Sequence, residues 1–480
     1  MTPSRFRWVF CQLDALRQCL PSSLRRTLAE LPESLDVTYE RIVMDIKKGN
    51  RDDAYRMLQC IAVAIRPLTV AELAELLAFD FDAAKGGIPK LNSKWRWEDH
   101  EQAVLTTCSS LITIVPRRYG SPVVQFSHFS VKEFLMSNRL ATLPKDISRY
   151  HIIPGSANTL IARACLSVLL RDPVDGDGAS IDPLARYAAE HWVAHAQVEN
   201  VASRIRDGMK SLFDPDKQYF SAWVKLYNVD TRDWFPHLES KVRPEAVPSY
   251  YAAFCGFHEI VEHLTLKHPQ YANAISGLAG TALHAASDAG HLEVVRSILK
   301  LGVDVDALGL VNSSPLQFAS GSGHLDVVKC LLDHGADPNL QDDDHWTALT
   351  YAADAGHLEI VRVLLEHNAD IDTPDKDGLT PLHGQIVMRY PNSKGDPRGV
   401  QLLLEHGANP NARDNKRQTP LHLVVPSDLV LSSQLEIARI LITHGADVDA
   451  EDEDGRTPSQ VALAEEEQEL VQFFSEICSK

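Results

Sequence analysis

One phrase, typified by Thr-Pro-Leu-His, recurs at a fixed interval through the second half of the chain. Every copy begins with a hydroxyl side chain, at Thr281, Ser314, Thr347, Thr380, Thr419 and Thr457. The first three intervals are 33 residues long, and the last two are 39 and 38 residues long. A period near 33 residues built on this phrase indicates one helical unit that repeats and stacks side by side. Such arrays present surface and carry out no chemistry of their own.

Each unit contains the signals for two helices. The Thr281 hydroxyl is placed to cap the first helix, and a proline such as Pro381 fits the first helical position, where its missing N–H costs little. Gly290 suits the left-handed residue that ends a helix. The apolar residues of the second helix fall on one stripe, at Leu292, Val294, Val295, Ile298 and Leu299. The sequence therefore predicts a mainly α fold whose second half is an α-solenoid.

These units resemble the ankyrin repeat closely. The matching phrases are Gly280–His291, Ser314–Ala319 with Gly323–Val328, and Thr347–Ala353 with Gly356–Val361. We expect about seven units over residues 243–480, with the first, around Tyr250, and the last, from Thr457, degenerate. The resemblance implies that protein partners bind to the concave groove and to the hairpin tips between units.

The residues that we expect on those surfaces fall into two groups. The tip candidates are Leu310, Asp343, Asp344, His345, Trp346, Arg413, Lys416 and Arg417. Trp346 is either an interface anchor or packed against the neighbouring tip. Asp288 and Asp354 end first helices and are the groove candidates, with simple solvation as the alternative.

Two units carry insertions between their paired helices. About six extra residues lie in 389–398, and about five lie near 425–433. Repeat arrays often place insertions on the binding face, although neutral growth of a surface loop is the simpler explanation.

Histidines recur at two positions of the unit, in His284, His383 and His422 and in His291, His324 and His357. Because the fold reuses these positions, we interpret them as hydrogen-bonding side chains in turns and predict no metal site and no cofactor.

The net negative charge lies almost entirely in the repeat half. Residues from Arg243 onward hold 16 Lys and Arg against 36 Asp and Glu, and the residues before it hold 31 against 29. An acidic surface attracts basic proteins and repels the phosphates of nucleic acids. We therefore expect a protein partner with basic character.

The first half predicts helices, then a hairpin, then a helix. Apolar residues follow helical spacing over residues 35–65, and Thr69 with Glu72 forms a capping box. We expect an exposed loop over residues 85–100 and a hairpin made of Leu111–Val115 and Val123–Phe126. This order is typical of a winged-helix domain, which we place at residues 30–145, before a helical spacer at residues 150–242.

The wording of this half resembles the winged-helix segment of fungal NACHT or NLR-like (STAND) proteins, which is also named for GPI inositol-deacylase. The resemblance lies in Leu31–Ile42, Arg66–Leu73 and Val124–Leu135, while residues 1–29 resemble the last helix of a NACHT module. No Gly-x-x-x-x-Gly-Lys-Ser/Thr loop is present, so we expect nucleotide binding only if a NACHT module precedes this sequence. In that family, the histidine that matches His128 of this sequence faces the nucleotide. Here we expect a structural role for His128.

Three functions remain open at this stage. The first is a non-enzymatic scaffold or sensor arm, in which the array binds a protein and the winged-helix half is an assembly or regulatory module. The second is an enzyme, suggested only by the deacylase name, and the Gly-x-Ser-x-Gly elbow is missing. The third is DNA binding through basic residues near the loop and the hairpin, namely Lys85, Lys90, Lys94, Arg96, Arg117 and Arg118. A further alternative is that the sequence is a truncated fragment of a nucleotide-dependent switch.

Composition bears on the compartment. No apolar run approaches the roughly 18 residues of a membrane span. The eight cysteines form no Cys-x-x-Cys pair, which is typical of reduced thiols. We expect a cytoplasmic protein, with the nucleus as an alternative, and no membrane partner.

Overall fold

A computed structural model of the chain describes residues 35–84, 87–108, 110–118, 120–171, 182–227, 247–277, 279–387, 396–425 and 431–478. The chain divides into two compact units, Met1–Val229 and Asp230–Lys480. The helix expected in residues 1–29 and parts of both insertions lie outside the described residues.

The N-terminal unit begins with helices and a small hairpin. The helices of its first part are α1 (Leu35–Met44), α2 (Arg51–Val63), α3 (Val70–Leu77), α4 (His100–Cys108), α5 (Phe129–Met136), α6 (Asn138–Ala141) and α7 (Lys145–Ser148). The strands are β1 (Phe79–Asp80), β2 (Lys90–Leu91), β3 (Ile112–Val115) and β4 (Val123–Phe126). Strands β3 and β4 pair antiparallel with Ile112 opposite Phe126, which confirms the predicted hairpin.

The expected loop over residues 85–100 is wrong in part. Strand β2 pairs antiparallel with β1, and Ser93–Trp95 forms a 3-10 turn. Arg96 then places its guanidinium on the buried carboxylate of Glu75, where its Nε lies 2.9 Å from Oε2. This partner from α3 orders the segment, and no local sequence pattern announces it.

A helical layer follows in the same unit. It contains α8 (Pro154–Leu169), α9 (Ala185–Ala196), α10 (Val201–Arg204), α11 (Arg206–Leu212) and α12 (Tyr219–Leu226). The Tyr187 hydroxyl accepts the Ile65 N–H at 3.2 Å and lies 2.8 Å from His195 Nε2, while His195 Nδ1 lies 2.7 Å from Asn158 Oδ1. Desolvation, helped by repulsion from His191, lowers the pKa of His195 to about 4. The Tyr187 hydroxyl therefore joins the helical layer to the first part of this unit, and the neutral His195 imidazole links Tyr187 to Asn158 within the layer.

The C-terminal unit is a row of helix pairs. The pairs are α13 (Pro248–Phe254) with α14 (His258–Lys267), α15 (Ala282–Asp288) with α16 (Leu292–Lys300), α17 (Pro315–Gly321) with α18 (Leu325–Asp333), α19 (Ala348–Asp354) with α20 (Leu358–Glu366), α21 (Pro381–Gly384) with α22 (Pro397–Glu405), α23 (Pro420–Leu423) with α24 (Leu431–Thr443), and α25 (Pro458–Ala464) with α26 (Gln468–Cys478). The first helix of each pair packs on the first helix of the next, and the apolar stripes form a continuous core. The predicted solenoid is confirmed.

Candidate protein-binding surface

The recurring phrase builds the start of each first helix. In the unit at Thr281, the Thr281 N–H donates to Nδ1 of His284 at 3.2 Å, and the Thr281 hydroxyl lies 2.8 Å from the same nitrogen. His284 Nε2 reaches the Ser313 carbonyl of the next unit at 2.9 Å. His422 repeats this arrangement with Thr419 and Arg456. The interpretation of these histidines as turn-forming hydrogen-bonding side chains is confirmed.

The second histidine position joins neighbouring units. The Nε2 atoms of His291, His324 and His357 donate to the carbonyls of Phe254, Asp288 and Gly321, at 3.0, 2.8 and 3.2 Å. Each imidazole ring also lies against the glycine that ends the preceding first helix. A Cβ on Gly256 would come within 2.8 Å of the His291 ring, and one on Gly323 within 2.7 Å of the His357 ring. We call this pairing the glycine–histidine contact.

An aspartate organises four of the hairpin tips. Oδ1 of Asp342 accepts the N–H groups of Asp344 and Trp346 at 2.9 and 2.8 Å. Asp375, Asp414 and Asp452 accept the corresponding pairs of N–H groups in their own tips. Because these carboxylates replace missing backbone partners, the tip geometry is fixed without a bound ligand.

Backbone hydrogen bonds also run from each tip to the next. The donors Asp343, Lys376, Asn415 and Glu453 reach the carbonyls of Val311, Asp344, Asp377 and Lys416 at 2.9 to 3.2 Å. The tips therefore form one continuous edge, and side chains on it keep fixed spacings. We call this edge the tip ladder.

The predicted tip residues differ in how exposed their side chains are and in which partners those side chains already have. Asp343, Asp344 and His345 are exposed, although Asp343 accepts from Asn312 Nδ2 at 2.6 Å and Asp344 pairs with Lys376 at 3.2 Å. His345 adopts a left-handed backbone with φ of 60°. These side chains offer negative charge that is already partly paired along the ladder.

Trp346 is not a free anchor. Its side chain is half-buried, and its ring packs edge-on against Tyr351, with centroids 5.1 Å apart. Tyr351 belongs to the first helix of the same unit, so part of the Trp346 ring is engaged within that unit. The two roles expected for Trp346, an interface anchor or a contact of the neighbouring tip, stay predictions.

The remaining tip residues lie on exposed positions. Leu310 is 37% exposed, and Arg413, Lys416 and Arg417 are exposed. Arg413 donates to the Glu451 carbonyl at 3.2 Å, and the Lys416 carbonyl accepts from Glu453. Arg417 is left-handed, with φ of 61°.

The two groove candidates occupy different environments. Asp288 is half-buried, and its Oδ1 accepts the Ser322 hydroxyl at 2.9 Å. Asp354 is only 3% exposed, and its carboxylate lies where a side chain on Gly384 would stand. The expectation of an exposed Asp354 is therefore wrong, because the small residue in the next unit lets the carboxylate turn inward.

Beside the predicted Asp288, the groove contains residues that the sequence analysis did not identify. Asp288, Ser313, Phe318, Ser322 and Tyr351 line a notch with room, about 10 Å³, for one water-sized group. Phe318 and Tyr351 stand five residues into their phrases, where the unit at Thr281 has an alanine. An aromatic at that position of the phrase was the available signal.

The N-terminal unit has a distinct arrangement at the start of α5. His128 Nδ1 accepts the Ser130 N–H at 3.3 Å and lies 2.6 Å from the Ser130 hydroxyl, which is 2.9 Å from the Tyr39 hydroxyl. His128 thus caps α5 and ties it to α1, as expected for a structural histidine.

Comparison with known proteins agrees with this geometry. The family described as "Ankyrin repeats (3 copies)" matches residues 249–342, 316–393 and 387–478. The C-terminal unit is an ankyrin-repeat array. The family described as "GPI inositol-deacylase, winged helix domain" matches residues 39–143, which form a winged helix of that type.

Individual relatives are also similar to the chain. "Azaphilone pigments biosynthesis cluster protein L" of Monascus ruber is 33% identical over 298 residues, or 58% of this chain and 61% of that protein. This chain therefore matches less than two thirds of that relative. The solved ankyrin repeat domain of Bcl-3, a member of the IkappaB family, is 29% identical over 45% of this chain and 94% of its own, with a TM-score of 0.40. That of human ASB11 is 25% identical over 45% and 91%, with a TM-score of 0.39.

Two further searches concern metals and membranes. Within the described ranges, no cluster of three or more His, Cys, Asp and Glu side chains is arranged to hold a metal ion. No helix in those ranges is both long and apolar enough to cross a bilayer.

Proposed function

We propose that the ankyrin array binds a protein partner with basic character and that it does so without catalysis. Ankyrin repeats are protein-interaction modules, which supports the first part of the proposal. The observation that carries it is an acidic stretch of the tip ladder, which holds Asp343 and Asp344 in exposed positions in a half of the chain that is strongly acidic. Fixed side chains lose little entropy on binding, so their charge attracts a partner at low cost.

The assignment of the N-terminal half extends this proposal. The winged helix and the helical layer that follows it share one buried polar network, from Ile65 through Tyr187 and His195 to Asn158. A unit of this kind can act as a rigid arm. We therefore propose an assembly or regulatory role for it within an NLR-like architecture, with residues 30–145 as the winged helix and 150–242 as the spacer, in a cytoplasmic or nuclear protein.

A charge-matched capture experiment tests the binding proposal. The full chain and two variants are immobilised, and proteins retained from a cell extract are quantified by mass spectrometry. The test variant carries Asp288→Asn, Asp343→Asn and Asp344→Asn in the groove and tips. The control carries Asp326→Asn, Asp333→Asn and Glu366→Gln, which are exposed positions of second helices.

The expected result is loss of specific partners by the groove and tip variant and their retention by the control. Partners retained equally by both variants would place binding elsewhere on the chain. Turnover of ester or amide substrates by the full chain would contradict the non-enzymatic part of the proposal.

A further inference from the structure

The notch in the groove combines one acidic side chain with one polar atom that has no partner. Ser313 is 2% exposed, and its Oγ makes no hydrogen bond with any described residue. Its carbonyl is already engaged, because it accepts from His284 Nε2 and from the Gly309 N–H. A buried hydroxyl without a partner is costly, so an arriving donor or acceptor at this place would be favoured.

Asp288 supplies a fixed negative charge at the same notch. Its Oδ1 is held by the Ser322 hydroxyl at 2.9 Å, and its carbonyl is held by His324 at 2.8 Å. Both the carboxylate and its backbone are thus oriented by the next unit. A carboxylate held in this way needs no rearrangement to receive a cation.

The walls of the notch are aromatic. Phe318 and Tyr351 line it and are each 7% exposed. The Tyr351 hydroxyl donates to Asp342 Oδ2 at 2.7 Å, so the ring is fixed and its polar atom is engaged within the array. The notch therefore offers aromatic surface beside a carboxylate and a hydroxyl.

We propose that this notch receives the ammonium group of a lysine side chain from the protein partner. The inference rests on the proposed binding function and deepens it. The space of about 10 Å³ fits a compact ammonium better than a planar guanidinium, and the three ammonium donors match Asp288, Ser313 and Ser322 as acceptors. The methylenes of the lysine lie along Phe318 and Tyr351, and the excess of acidic residues in the array favours a basic segment.

A peptide-display experiment on the full chain tests this inference. Random dodecapeptides are selected on the wild-type protein. The affinity of the strongest peptide is then measured by fluorescence anisotropy with its lysine intact or changed to methionine or arginine. These measurements are repeated on chains carrying Asp288→Asn, Ser313→Ala or the matched control Asp326→Asn.

The expected result is a lysine in the selected peptides whose change to methionine weakens binding roughly ten- to hundredfold, with arginine falling between. Changing the peptide lysine to methionine should have little effect on the affinity for the Asp288→Asn chain. It should have its full effect on the affinity for the Asp326→Asn chain. Asp288→Asn preserves the acceptor for Ser322, and circular dichroism confirms that each variant is folded.

Two outcomes would overturn the inference, and a third also overturns the proposed function. Peptides that bind the array but lack lysine, or whose affinity Asp288→Asn leaves unchanged, contradict the lysine site alone. An unchanged affinity on Ser313→Ala means that the notch holds a resident water only. The absence of any peptide whose binding depends on the groove or the tips contradicts the binding proposal as well.

Discussion

The regular units and the interrupted units of the array are joined differently at the groove end of their first helices. The units at Thr281, Ser314 and Thr347 have first helices of seven residues, whereas those at Thr380 and Thr419 have first helices of four residues. Three glycine–histidine contacts join the regular units to their neighbours. Among the residues that the structure describes, none lies within 4 Å of a Cβ position on Gly356, and Gln385 donates to the Ala353 carbonyl.

The tips show no such difference. The tip ladder continues from Val311 to Glu453 through both kinds of unit, and the four tips organised by Asp342, Asp375, Asp414 and Asp452 keep the same pair of backbone hydrogen bonds. The period of the array is therefore maintained at the tips, while the contact at the opposite end depends on the length of the first helix. We expect the boundary after Gly356 to be the weaker joint.

The largest expected effect separates two glycines with nearly the same backbone. Gly290 and Gly356 have φ of 74° and 75°, so alanine costs about 1 kcal/mol of conformational strain at either. At Gly290 the new Cβ would also overlap the His324 ring, which adds about 2 kcal/mol by overpacking. We expect Gly290→Ala to lower the local unfolding free energy by about 3 kcal/mol and Gly356→Ala by about 1 kcal/mol.

Native-state hydrogen exchange of peptides from α15 to α20 measures both values. Gly302→Ala is the matched control, because Gly302 has φ of 74° and no described residue within 4 Å of its Cβ position. Equal losses at Gly290 and Gly356 would show that the histidine ring yields, and the contrast between the two joints would disappear.

The histidine side of the contact should give the next largest effect. His324→Ala leaves the Asp288 carbonyl without its 2.8 Å donor and opens space beside Gly290. We expect a loss of about 2 kcal/mol, part of which His324→Gln should restore by offering an N–H donor. The measurement is the same hydrogen exchange in α15 and α17.

His334 provides the control for this prediction. It is exposed, and its Nδ1 donates to the Cys330 carbonyl of its own helix at 2.7 Å. His334→Ala should therefore cost less than about 0.5 kcal/mol. A similar loss for His324→Ala and His334→Ala would mean that the bond between units contributes nothing beyond a local cap.

The sequence predicted the parts of this comparison that depend on local signals. The hydroxyl residues that begin the phrase, the proline at the first helical position and the left-handed glycines act within a few residues, so their spacing indicates helix ends directly. The histidines were correctly interpreted as hydrogen-bonding side chains. The partners of their Nε2 atoms were not predictable from spacing alone, because each lies about one repeat away along the chain.

The candidate site was predicted less well for the same reason. Simple solvation was one expectation for Asp354, and packing on the neighbouring tip was one for Trp346, but Asp354 is buried beside Gly384 and the Trp346 ring contacts Tyr351, and both of these partners belong to other elements. In the N-terminal unit, the 85–100 segment read as a loop because the partner of Arg96, Glu75, lies on a separate helix. Tertiary partners of this kind override local patterns.

Acid should weaken the regular units. Desolvation by burial lowers the pKa of His291 and His357, against the opposing effect of the backbone carbonyl that each one contacts. A depressed histidine pKa means that the stabilising contribution is complete above the ordinary value of about 6.5 and is lost as the pH falls through the lower folded value. Urea unfolding followed by circular dichroism should therefore show lower stability at pH 5.5 than at pH 7.5.

A variant identifies the source of this pH dependence. His357→Gln removes one titrating group while keeping an N–H donor, so it should reduce the difference in stability between the two pH values. His422, in an interrupted unit, has a pKa lowered by desolvation and contributes in the same direction. A pH dependence that His357→Gln leaves unchanged would assign the acid sensitivity to groups outside the regular units.

The smallest expected effect concerns the charge pair that crosses the weaker joint. Lys376 Nζ lies 3.2 Å from Asp344 Oδ1, with side chains 53% and 75% exposed, and the backbone bond from Lys376 to the Asp344 carbonyl runs beside it. Exposed pairs contribute about 0 to 1 kcal/mol and are screened by salt. We expect Asp344→Asn to lower the unfolding free energy by less than about 0.5 kcal/mol at low salt. This loss should be no larger than the loss that the control Asp326→Asn causes at high salt. A loss above about 1 kcal/mol, measured by urea unfolding, would mean that the pair and not the tip ladder holds the regular and interrupted units together.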